Sequence, residues 1–439
     1  MNHVRSGPER ARSAIGSRVE PSDVRARPAR RLQHGPRNLL SSITNMHAHP
    51  LTPLVAFIVG TLSLLLLGFG GYYLWEYYEY YRTREAAEQL GFVVDDAWAG
   101  RQLWWGLAML GFSFFGRPLV LLFLGRSGED DPKPARSRES KVVERPDGAR
   151  LNVEFFGLTD APTLLLTHGF SNDSTTWYYL KKLADRYRVI TWDLRGVGRS
   201  KAQTQDYSLQ TMAEDLRAVI DLADANRPLL LVGHSMGGMI SLTLLKTAGL
   251  PLRERIAGLA LLNTTYINPT RTCSLRSVAM ALQKPILEPL LAATKAFLWP
   301  LVWLQNWSSY SNGTSHVMTR IFTFAGNQTR GQLEFCTRMS VGCSPKVLAG
   351  QALGMFRYDV ADVLPRIDLP TLVVTAPKDK ATEPDASEFL RTKLPQARLV
   401  TIMGAAHASM DEQGGAVREA VADFAAEVFA KQPAPALQG

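Results

Sequence analysis

Cysteine is scarce in this sequence, and its scarcity argues against two classes of protein. The 439 residues contain three cysteines, Cys273, Cys336 and Cys343, which are too few for a disulfide framework. None of them forms a C-x-x-C pair or a cluster with histidine, so the pattern indicates no metal site. We expect buried or idle thiols in a reducing compartment.

Signatures of nucleic-acid binding are also missing. The net charge is +9, but the excess lies in two stretches: residues 1–50 carry nine arginines against three acidic residues, and residues 269–357 carry nine basic against two acidic residues. The remainder is mildly acidic, and no known motif combines a basic groove with stacking aromatic residues. We therefore predict no nucleic-acid partner, and the two basic patches favour an anionic membrane surface.

Long apolar runs, by contrast, are present near the N-terminus. Residues 1–45 are rich in Arg, Ser, Pro and Gly without apolar periodicity, which predicts a disordered basic segment. Residues 51–75 contain no charged side chain and lead into a cluster of aromatic residues. A membrane-spanning helix with an interfacial aromatic belt has this pattern.

A second apolar run occupies residues 103–124 but is interrupted by Arg117 and Pro118. An arginine costs roughly 2.5–3.5 kcal/mol at the centre of a span and less near its end. The run therefore predicts either a second, kinked span or a helix that lies in the interface. Loop 76–102 carries six acidic residues and three arginines, and the positive-inside rule places it outside and the basic N-terminus in the cytoplasm. We favour a hairpin of two spans within residues 46–125, which returns the chain to the cytoplasm.

The rest of the chain alternates apolar strands with amphipathic helices, one of which is expected over residues 175–185. This alternation predicts an α/β fold in which helices cover both faces of a mostly parallel sheet. A basic, aromatic, helix-rich insertion interrupts the alternation, and we interpret it as a cap. We divide this part of the chain into a linker, the first half of a core, the cap, the second half of the core and a tail, at residues 126–141, 142–268, 269–357, 358–431 and 432–439.

The most informative stretch is residues 228–238, where four apolar residues lead into Gly-His-Ser-Met-Gly-Gly. A G-x-S-x-G pattern between a buried strand and a helix predicts a sharp turn that holds Ser235 in a strained conformation, with its hydroxyl exposed. Gly233 and Gly237 flank the turn because a Cβ at either place would collide with a neighbouring strand or helix. Ser235 is therefore the candidate nucleophile.

A serine nucleophile needs a general base, and the sequence contains eight histidines. Four of them precede the first apolar run, and His234 adjoins the serine too closely for its side chain to reach the hydroxyl. His407 lies in the loop after the last strand, at the sheet edge where the catalytic loops of an open α/β sheet collect. We predict that His407 is the base and keep His316, in the cap, as the alternative.

The group that orients the base is expected at the end of a neighbouring strand. Asp379 follows an apolar strand and is our candidate, with Glu383 or Asp385 as weaker substitutes. The other possible location, after the strand that ends at Leu262, offers Asn263 and no carboxylate. The chain order is then Ser235, Asp379, His407, that is Ser…Asp…His.

Hydrolysis of an acyl group also requires N–H donors for the oxyanion that forms on the attacked carbonyl. The backbone amide of Met236 follows the nucleophile at a helix N-terminus and is one candidate. The second is the amide of Phe170, in the loop after the third strand, where Gly169 lets the chain turn.

Residues 168–170, 193–200 and 233–238, together with Asp379 and His407, resemble the α/β-hydrolase fold superfamily. The resemblance covers about residues 145–265 and 355–430. Within the superfamily the chain is similar to serine esterases and lipases, including membrane-anchored enzymes that resemble monoacylglycerol lipase. The resemblance implies acyl transfer through an acyl-enzyme, without a cofactor or a metal.

These observations predict a membrane-tethered serine hydrolase that acts on carboxylic esters of apolar, lipid-like acyl groups, with its catalytic domain in the cytoplasm. Other Ser-Asp-His members of the superfamily are C–C bond hydrolases, thioesterases, acyltransferases and perhydrolases, and these chemistries stay open. A non-catalytic membrane protein that uses the fold for partner binding is the alternative from another class. The oligomeric state is not predicted.

The cap contains three tryptophans within nine residues, Trp299, Trp303 and Trp307. Together with the excess of basic residues, they predict a cap that rests on an anionic membrane and gates the substrate. We name the three as candidate substrate-binding residues. The alternative is that they form the cap's own core.

Overall fold

The structure is a computed structural model that describes residues 49–431. The disordered segment predicted at 1–45 and the tail predicted at 432–439 lie outside the described residues. The described elements follow the expected order: two long helices come first, and strands then alternate with helices around a helical insertion.

The bounds of the elements are as follows. The strands are β1 Ser140–Glu144, β2 Arg150–Phe156, β3 Thr163–Thr167, β4 Arg188–Trp192, β5 Leu229–His234, β6 Ile256–Leu262, β7 Thr371–Thr375 and β8 Ala397–Thr401. The helices are α1 Thr52–Gln89, α2 Asp96–Leu124, α3 Leu209–Ile220, α4 Met236–Thr247, α5 Leu250–Arg255, α6 Arg276–Leu282, α7 Glu288–Ala293, α8 Trp299–Ser311, α9 Thr314–Thr323, α10 Arg330–Gly342, α11 Pro345–Met355, α12 Pro384–Lys393, α13 Ser409–Glu412 and α14 Gly414–Ala430. Two π-helical segments, Gln283–Leu287 and Thr294–Leu298, join α6, α7 and α8.

The eight strands form one sheet in the order β1-β2-β4-β3-β5-β6-β7-β8. At one edge β1, β2 and β4 pair antiparallel, and all other neighbours pair parallel. The parallel strands β3, β5, β6 and β7 are buried on both faces, which explains their continuous apolar runs. The predicted α/β fold with a mostly parallel sheet is confirmed.

Helices cover both faces of the sheet. One face packs against α3, α4 and α12, and the other packs against α14 and two short 3₁₀ segments. The 3₁₀ segments, Ser174–Trp177 and Leu180–Asp185, replace the α-helix expected over residues 175–185. The buried residues Trp177, Leu180 and Leu183 recur every three positions, a spacing that a helix with three residues per turn keeps on one face.

The helices α1 and α2 form an antiparallel pair, which we call the membrane hairpin. A Cβ on Gly70 would lie 2.9 Å from Leu110 Cγ, and one on Gly106 would lie 2.7 Å from Leu74 Cδ2, so glycines permit the close approach of the two helices. Both helices are long and apolar enough to cross a membrane, and so is the cap segment Arg276–Ser311. Both exceed the bounds predicted for the spans, and α2 continues through Pro118.

The arginine inside the second apolar run has partners in the cap. Arg117 donates to Tyr310 Oη at 2.6 Å and to Glu334 Oε1 at 3.3 Å, and Glu334 also contacts His316 Nε2 at 2.7 Å. The Arg117 guanidinium lies 4.9 Å from the centre of the Tyr310 ring. These contacts compensate the charge of an arginine within an apolar helix.

The cap packs directly on the membrane hairpin. A Cβ on Gly60 of α1 would lie 2.6 Å from Gln305 Cβ of α8, and one on Gly116 of α2 would lie 2.7 Å from the carbonyl oxygen of Asn312. Trp307 of α8 meets Phe114 edge to face, with the ring centroids 5.9 Å apart. The contacts involve the start of α1 and the end of α2, so the cap covers the end of the hairpin that is nearest the sheet.

The segment between the hairpin and the sheet is attached to the core. Arg136 donates to Asp193 Oδ2 at 2.8 Å and lies 3.4 Å from Glu154 Oε1, and both carboxylates are fully buried. Asp130 pairs with Lys182 at 2.6 Å. The predicted polar linker therefore lies along the surface of the core and fixes where the hairpin leaves it.

A matched pair of substitutions in α2 tests the contact between hairpin and cap. Gly116→Ala introduces a Cβ against a backbone oxygen of the cap, and we expect a loss of roughly 1–3 kcal/mol of stability because the neighbour cannot move aside. Gly111→Ala in the same helix meets no atom within 4 Å and should leave stability unchanged or slightly higher. Thermal unfolding of the full chain in detergent or nanodiscs measures both, and equal melting temperatures for the two variants would contradict the contact.

Candidate active site

The turn between β5 and α4 holds Ser235 in a strained conformation, with φ 50° and ψ −117°. A Cβ on Gly237 would lie 2.0 Å from the carbonyl oxygen of Thr167 in β3, and one on Gly233 would lie 2.6 Å from the amide of Gly238. The first clash is with a strand and the second with a helix, so glycine is required at both positions. The turn therefore has the geometry expected of a nucleophile elbow.

The structure brings Ser235, His407 and Asp379 together. His407 Nε2 lies 2.9 Å from Ser235 Oγ, and His407 Nδ1 lies 3.0 Å from each carboxylate oxygen of Asp379. With Nδ1–H donating to Asp379, the lone pair on Nε2 is free to accept the serine proton. All three side chains are buried beneath the cap.

Hydrogen bonds hold the Asp379 carboxylate from several sides. The amides of Ala381 and Thr382 donate to Oδ1, and the Thr382 hydroxyl donates to Oδ2. Burial alone would raise the pKa of Asp379, but the positive charge of protonated His407 and these hydrogen bonds outweigh it and hold the pKa below its ordinary value. The carboxyl is therefore ionised at neutral pH and can accept the hydrogen bond from His407 Nδ1–H.

Asn263, at the end of β6, is a functional residue that the sequence analysis passed over. Its Nδ2 donates to Asp379 Oδ2 at 3.0 Å, and its Oδ1 accepts from Ser409 Oγ. Asn263 has a φ of 46°, which asparagine tolerates better than most residues. The end of β6 therefore carries no carboxylate, but its Asn263 amide holds the carboxylate of Asp379 after β7.

His234 also positions the site, although it cannot act as the base. Its Nε2–H donates to the carbonyl oxygen of His407 at 3.0 Å. This hydrogen bond connects the loop that carries His407 to the turn that carries Ser235. Burial, followed by the nearby His407, lowers the pKa of His234 to about 3, which keeps the ring neutral. His234 thus fixes the backbone of His407 without adding a charge.

The two candidate oxyanion donors lie on either side of the nucleophile. A Cβ on Gly169 would lie 3.1 Å from Ser235 Cβ, so the loop that carries Phe170 runs against the elbow. Met236 is the first residue of α4, where backbone amides have no helical acceptor. Within residues 49–431 neither the Phe170 nor the Met236 amide donates to a protein acceptor, which leaves both available to an oxyanion.

The hydrogen bonds of His407 favour the predicted residues over their alternatives. His316 is buried in the cap and is held by Glu334. Glu383 precedes α12 and Asp385 lies exposed in its first turn, whereas the hydrogen bonds to His407 Nδ1 come from Asp379. The geometry therefore favours Asp379 and His407 over their substitutes.

The cap tryptophans are not brought to the nucleophile. Trp299, Trp303 and Trp307 are 44%, 56% and 41% exposed. The cavity beside Ser235 has a volume of about 30 Å³. Its walls come from α4, the cap, the start of α1, the loop after β7 and the loop after β3 that carries Phe170, which we call the oxyanion loop. The lining residues are His49, Pro50, Pro53, Phe170, Met239, Pro269, Ala352, Met355, Phe356 and Thr382. The proposed substrate-binding role of the tryptophans thus lacks a contact with this cavity, and Trp307 contacts Phe114 of α2 instead.

Comparison with known proteins agrees with this geometry. A profile of the alpha/beta hydrolase fold matches residues 162–413. The chain belongs to this family. Within it, the putative carbamate hydrolase RutD of Pseudomonas syringae is 28% identical over 257 residues, which cover 57% of this chain and 88% of RutD. The enol-lactonase of Burkholderia xenovorans has the same fold, with a TM-score of 0.52 and 21% identity over 65% of this chain and all (100%) of that one.

A shorter match has higher identity. The probable oxidoreductase EphD of Mycobacterium tuberculosis is 35% identical over 109 residues, which are 24% of this chain and 18% of EphD. This chain therefore spans about a fifth of the length of that relative. The superfamily resemblance is confirmed by the profile, whereas the similarity to membrane-anchored monoacylglycerol-lipase-like enzymes stays a prediction.

The role of Asn263 is testable through the pH dependence of the nucleophile. Asn263→Asp keeps the shape but sets a second carboxylate beside Asp379, and the added negative charge stabilises a proton shared by this cluster of groups. The acidic limb of the rate of Ser235 modification by a fluorophosphonate should then move to higher pH by about one unit or more.

Ser409→Ala is the control for this experiment, because it removes the hydrogen bond from Ser409 Oγ to Asn263 Oδ1 without adding a charge. We expect its pH profile to match that of the unmodified chain. An unshifted profile in Asn263→Asp would show that Asn263 does not act on Asp379.

Proposed function

We propose that the protein is a membrane-tethered serine hydrolase that cleaves carboxylic esters of apolar acyl groups through an acyl-enzyme. The observation that carries this proposal is the position of His407, with Nε2 at 2.9 Å from Ser235 Oγ and Nδ1 at 3.0 Å from Asp379. A neutral imidazole in this position takes the serine proton as the serine attacks, and the carboxylate stabilises the imidazolium that forms.

The reaction begins as Ser235 Oγ bonds to the ester carbonyl carbon and its proton passes to His407 Nε2. The carbonyl oxygen becomes an oxyanion between the amides of Phe170 and Met236. The ester C–O bond breaks, and the alcohol leaves with the proton from His407. Water then gives a proton to His407 and attacks the acyl-enzyme, and the acid departs as Ser235 regains its proton. The sequence of steps uses no metal or cofactor.

The surroundings of Ser235 support an apolar acyl group. The cavity beside it is walled mainly by proline, methionine, phenylalanine and alanine, and such a lining favours hydrocarbon over charged groups. The name of RutD indicates carbamate hydrolysis by that relative, and the same triad would attack a carbamate carbonyl. The apolar walls are the feature of this chain that favours esters of apolar acids.

The hairpin supports membrane attachment with the catalytic domain on the side of residue 49. The start of α1 lies in the cap, where Leu51 is buried, and the end of α2 leads into Arg126, which pairs with Thr329. If both helices cross, the two ends lie on one side of the bilayer and the loop between α1 and α2 lies on the other. The basic N-terminus favours a cytoplasmic position for the catalytic side.

Covalent labelling tests the assignment of the nucleophile. Ser235→Ala should lose fluorophosphonate labelling and ester hydrolysis without a change in melting temperature, because the substitution removes one hydroxyl. His407→Ala should lose both activities, and Asp379→Asn should lower kcat by up to about 10⁴-fold. Ser241→Ala, a buried serine in α4, is the control and should label normally. Persistent turnover in Ser235→Ala or His407→Ala would refute the mechanism.

Cysteine accessibility tests the topology, because Cys273, Cys336 and Cys343 are buried. Val93, between α1 and α2, is 98% exposed, and Leu158, in the core domain, is 57% exposed. In intact cells a membrane-impermeant maleimide should modify Val93→Cys, and it should modify Leu158→Cys only after lysis. Modification of both in intact cells would place the catalytic domain outside with a single crossing. Modification of Leu158→Cys alone would mean an inverted hairpin, and modification of neither would show that the hairpin does not cross.

A further inference from the structure

A second cavity lies between the membrane hairpin and the cap, and we call it the α1–cap cavity. Its volume is about 140 Å³. One wall is the beginning of α1, a second is formed by α7 and α8, and the third by the oxyanion loop and α11. Representative residues are Pro53 and Val59 of α1, Leu291 of α7, Val302 of α8, Phe170 of the loop after β3 and Leu348 of α11.

The α1–cap cavity adjoins the cavity that contains Ser235. Pro53 and Phe170 line both of them, so these two side chains stand between the nucleophile and the larger space. Phe170 also carries one of the candidate oxyanion amides. An acyl chain whose carbonyl is held at Ser235 would therefore pass Phe170 and Pro53 to enter the α1–cap cavity.

The wall formed by α1 is fixed in place by hydrogen bonds and close packing. His49 Nδ1 accepts from the amide of Leu51, and His49 Nε2–H donates to the carbonyl oxygen of Ser274 in the cap. Burial lowers the pKa of His49 to about 4, so the ring stays neutral and keeps these two roles. About three turns further along the helix, Gln305 donates to Thr61 Oγ1 at 2.9 Å. These hydrogen bonds therefore hold the start of α1 against the cap.

The lining of the α1–cap cavity is mainly apolar, with thirteen apolar residues and eight that carry a hydroxyl or amide group. Among residues 49–431, those that line the α1–cap cavity include no ionisable side chain, which suits a hydrocarbon chain and not a charged head group. The opposite face of α1 carries exposed apolar side chains, among them Ile58 at 50% and Leu62 at 59%. The same helix therefore faces lipid on one side and the α1–cap cavity on the other.

We propose that the α1–cap cavity binds the acyl chain of a long-chain ester drawn from the bilayer, with the first membrane helix as part of the substrate site. This inference rests on the hydrolase function proposed above. It assigns to α1 a second role beyond attachment, since the helix then sets which chain lengths the enzyme accepts. Short acyl groups would stay in the cavity beside Ser235, which α1 lines only through Pro53, and would not reach the α1–cap cavity.

A pair of neighbouring residues tests the proposal in the full chain in nanodiscs. Val59→Phe narrows the α1–cap cavity, whereas Ile58→Phe adds a ring on the lipid-facing side. We expect Val59→Phe to lower kcat/KM for p-nitrophenyl palmitate by about tenfold or more, because a buried pocket discriminates strongly against lost space. Its kcat/KM for p-nitrophenyl butyrate should stay within about twofold, and Ile58→Phe should change neither. Equal effects on both esters, or equal effects of both variants, would overturn the proposal.

A second measurement does not depend on turnover. Ser235→Ala in nanodiscs is irradiated with a long-chain fatty acid that carries a diazirine at its methyl end, and the labelled peptides are mapped. Labelling of residues 52–59 and 290–306 that falls when Val59→Phe is added, but not when Ile58→Phe is added, supports the proposal. Labelling that is equal in the two variants contradicts it.

The two experiments separate this inference from the proposed function. If the unmodified chain hydrolyses both esters and Val59→Phe alters neither the ester preference nor the photolabelling, the hydrolase stands and the acyl site on α1 fails. If labelling depends on Val59 while the unmodified chain hydrolyses no ester, the acyl site stands and the hydrolase fails.

Discussion

The contact between the start of α4 and the end of β3 is the constraint on which the site depends. The chain passes so close to β3 that a Cβ on Gly237 would lie 2.0 Å from a carbonyl oxygen of that strand. This approach forces Ser235 to a φ of 50°, a conformation that costs about 1–3 kcal/mol and persists only when its surroundings determine it. In this conformation the Ser235 hydroxyl lies 2.9 Å from His407 Nε2, and α4 begins at the next residue, Met236.

The other members of the site follow from the parallel sheet. Parallel strands bring their carboxyl ends to one edge, where Ser235, Asn263 and Asp379 follow β5, β6 and β7. Hydrogen bonds then join the loops sideways: Asn263 to Asp379, Asp379 to His407, and His234 to the carbonyl oxygen of His407. Each loop is positioned by its neighbour, so the geometry does not depend on any one loop being rigid alone.

The membrane hairpin, the cap and the core form one packed unit in the described residues. Arg117 of α2 has its charge partner, Glu334, in the cap, and Leu51 at the start of α1 belongs to the cap's apolar cluster. A tether joined only by a linker would not need such contacts. The hairpin therefore contributes to the structure around the nucleophile.

The sequence by itself determined the parallel sheet, the elbow and the order Ser235, Asp379, His407, because buried strands and tight turns impose local patterns of apolar residues and glycine. It also indicated both apolar helices of the hairpin. Only the tertiary structure decided which groups Asn263, His234 and Arg117 contact, and that the cap tryptophans do not line the cavity beside Ser235. These roles depend on contacts between segments far apart in the chain, and no local periodicity or spacing carries such information.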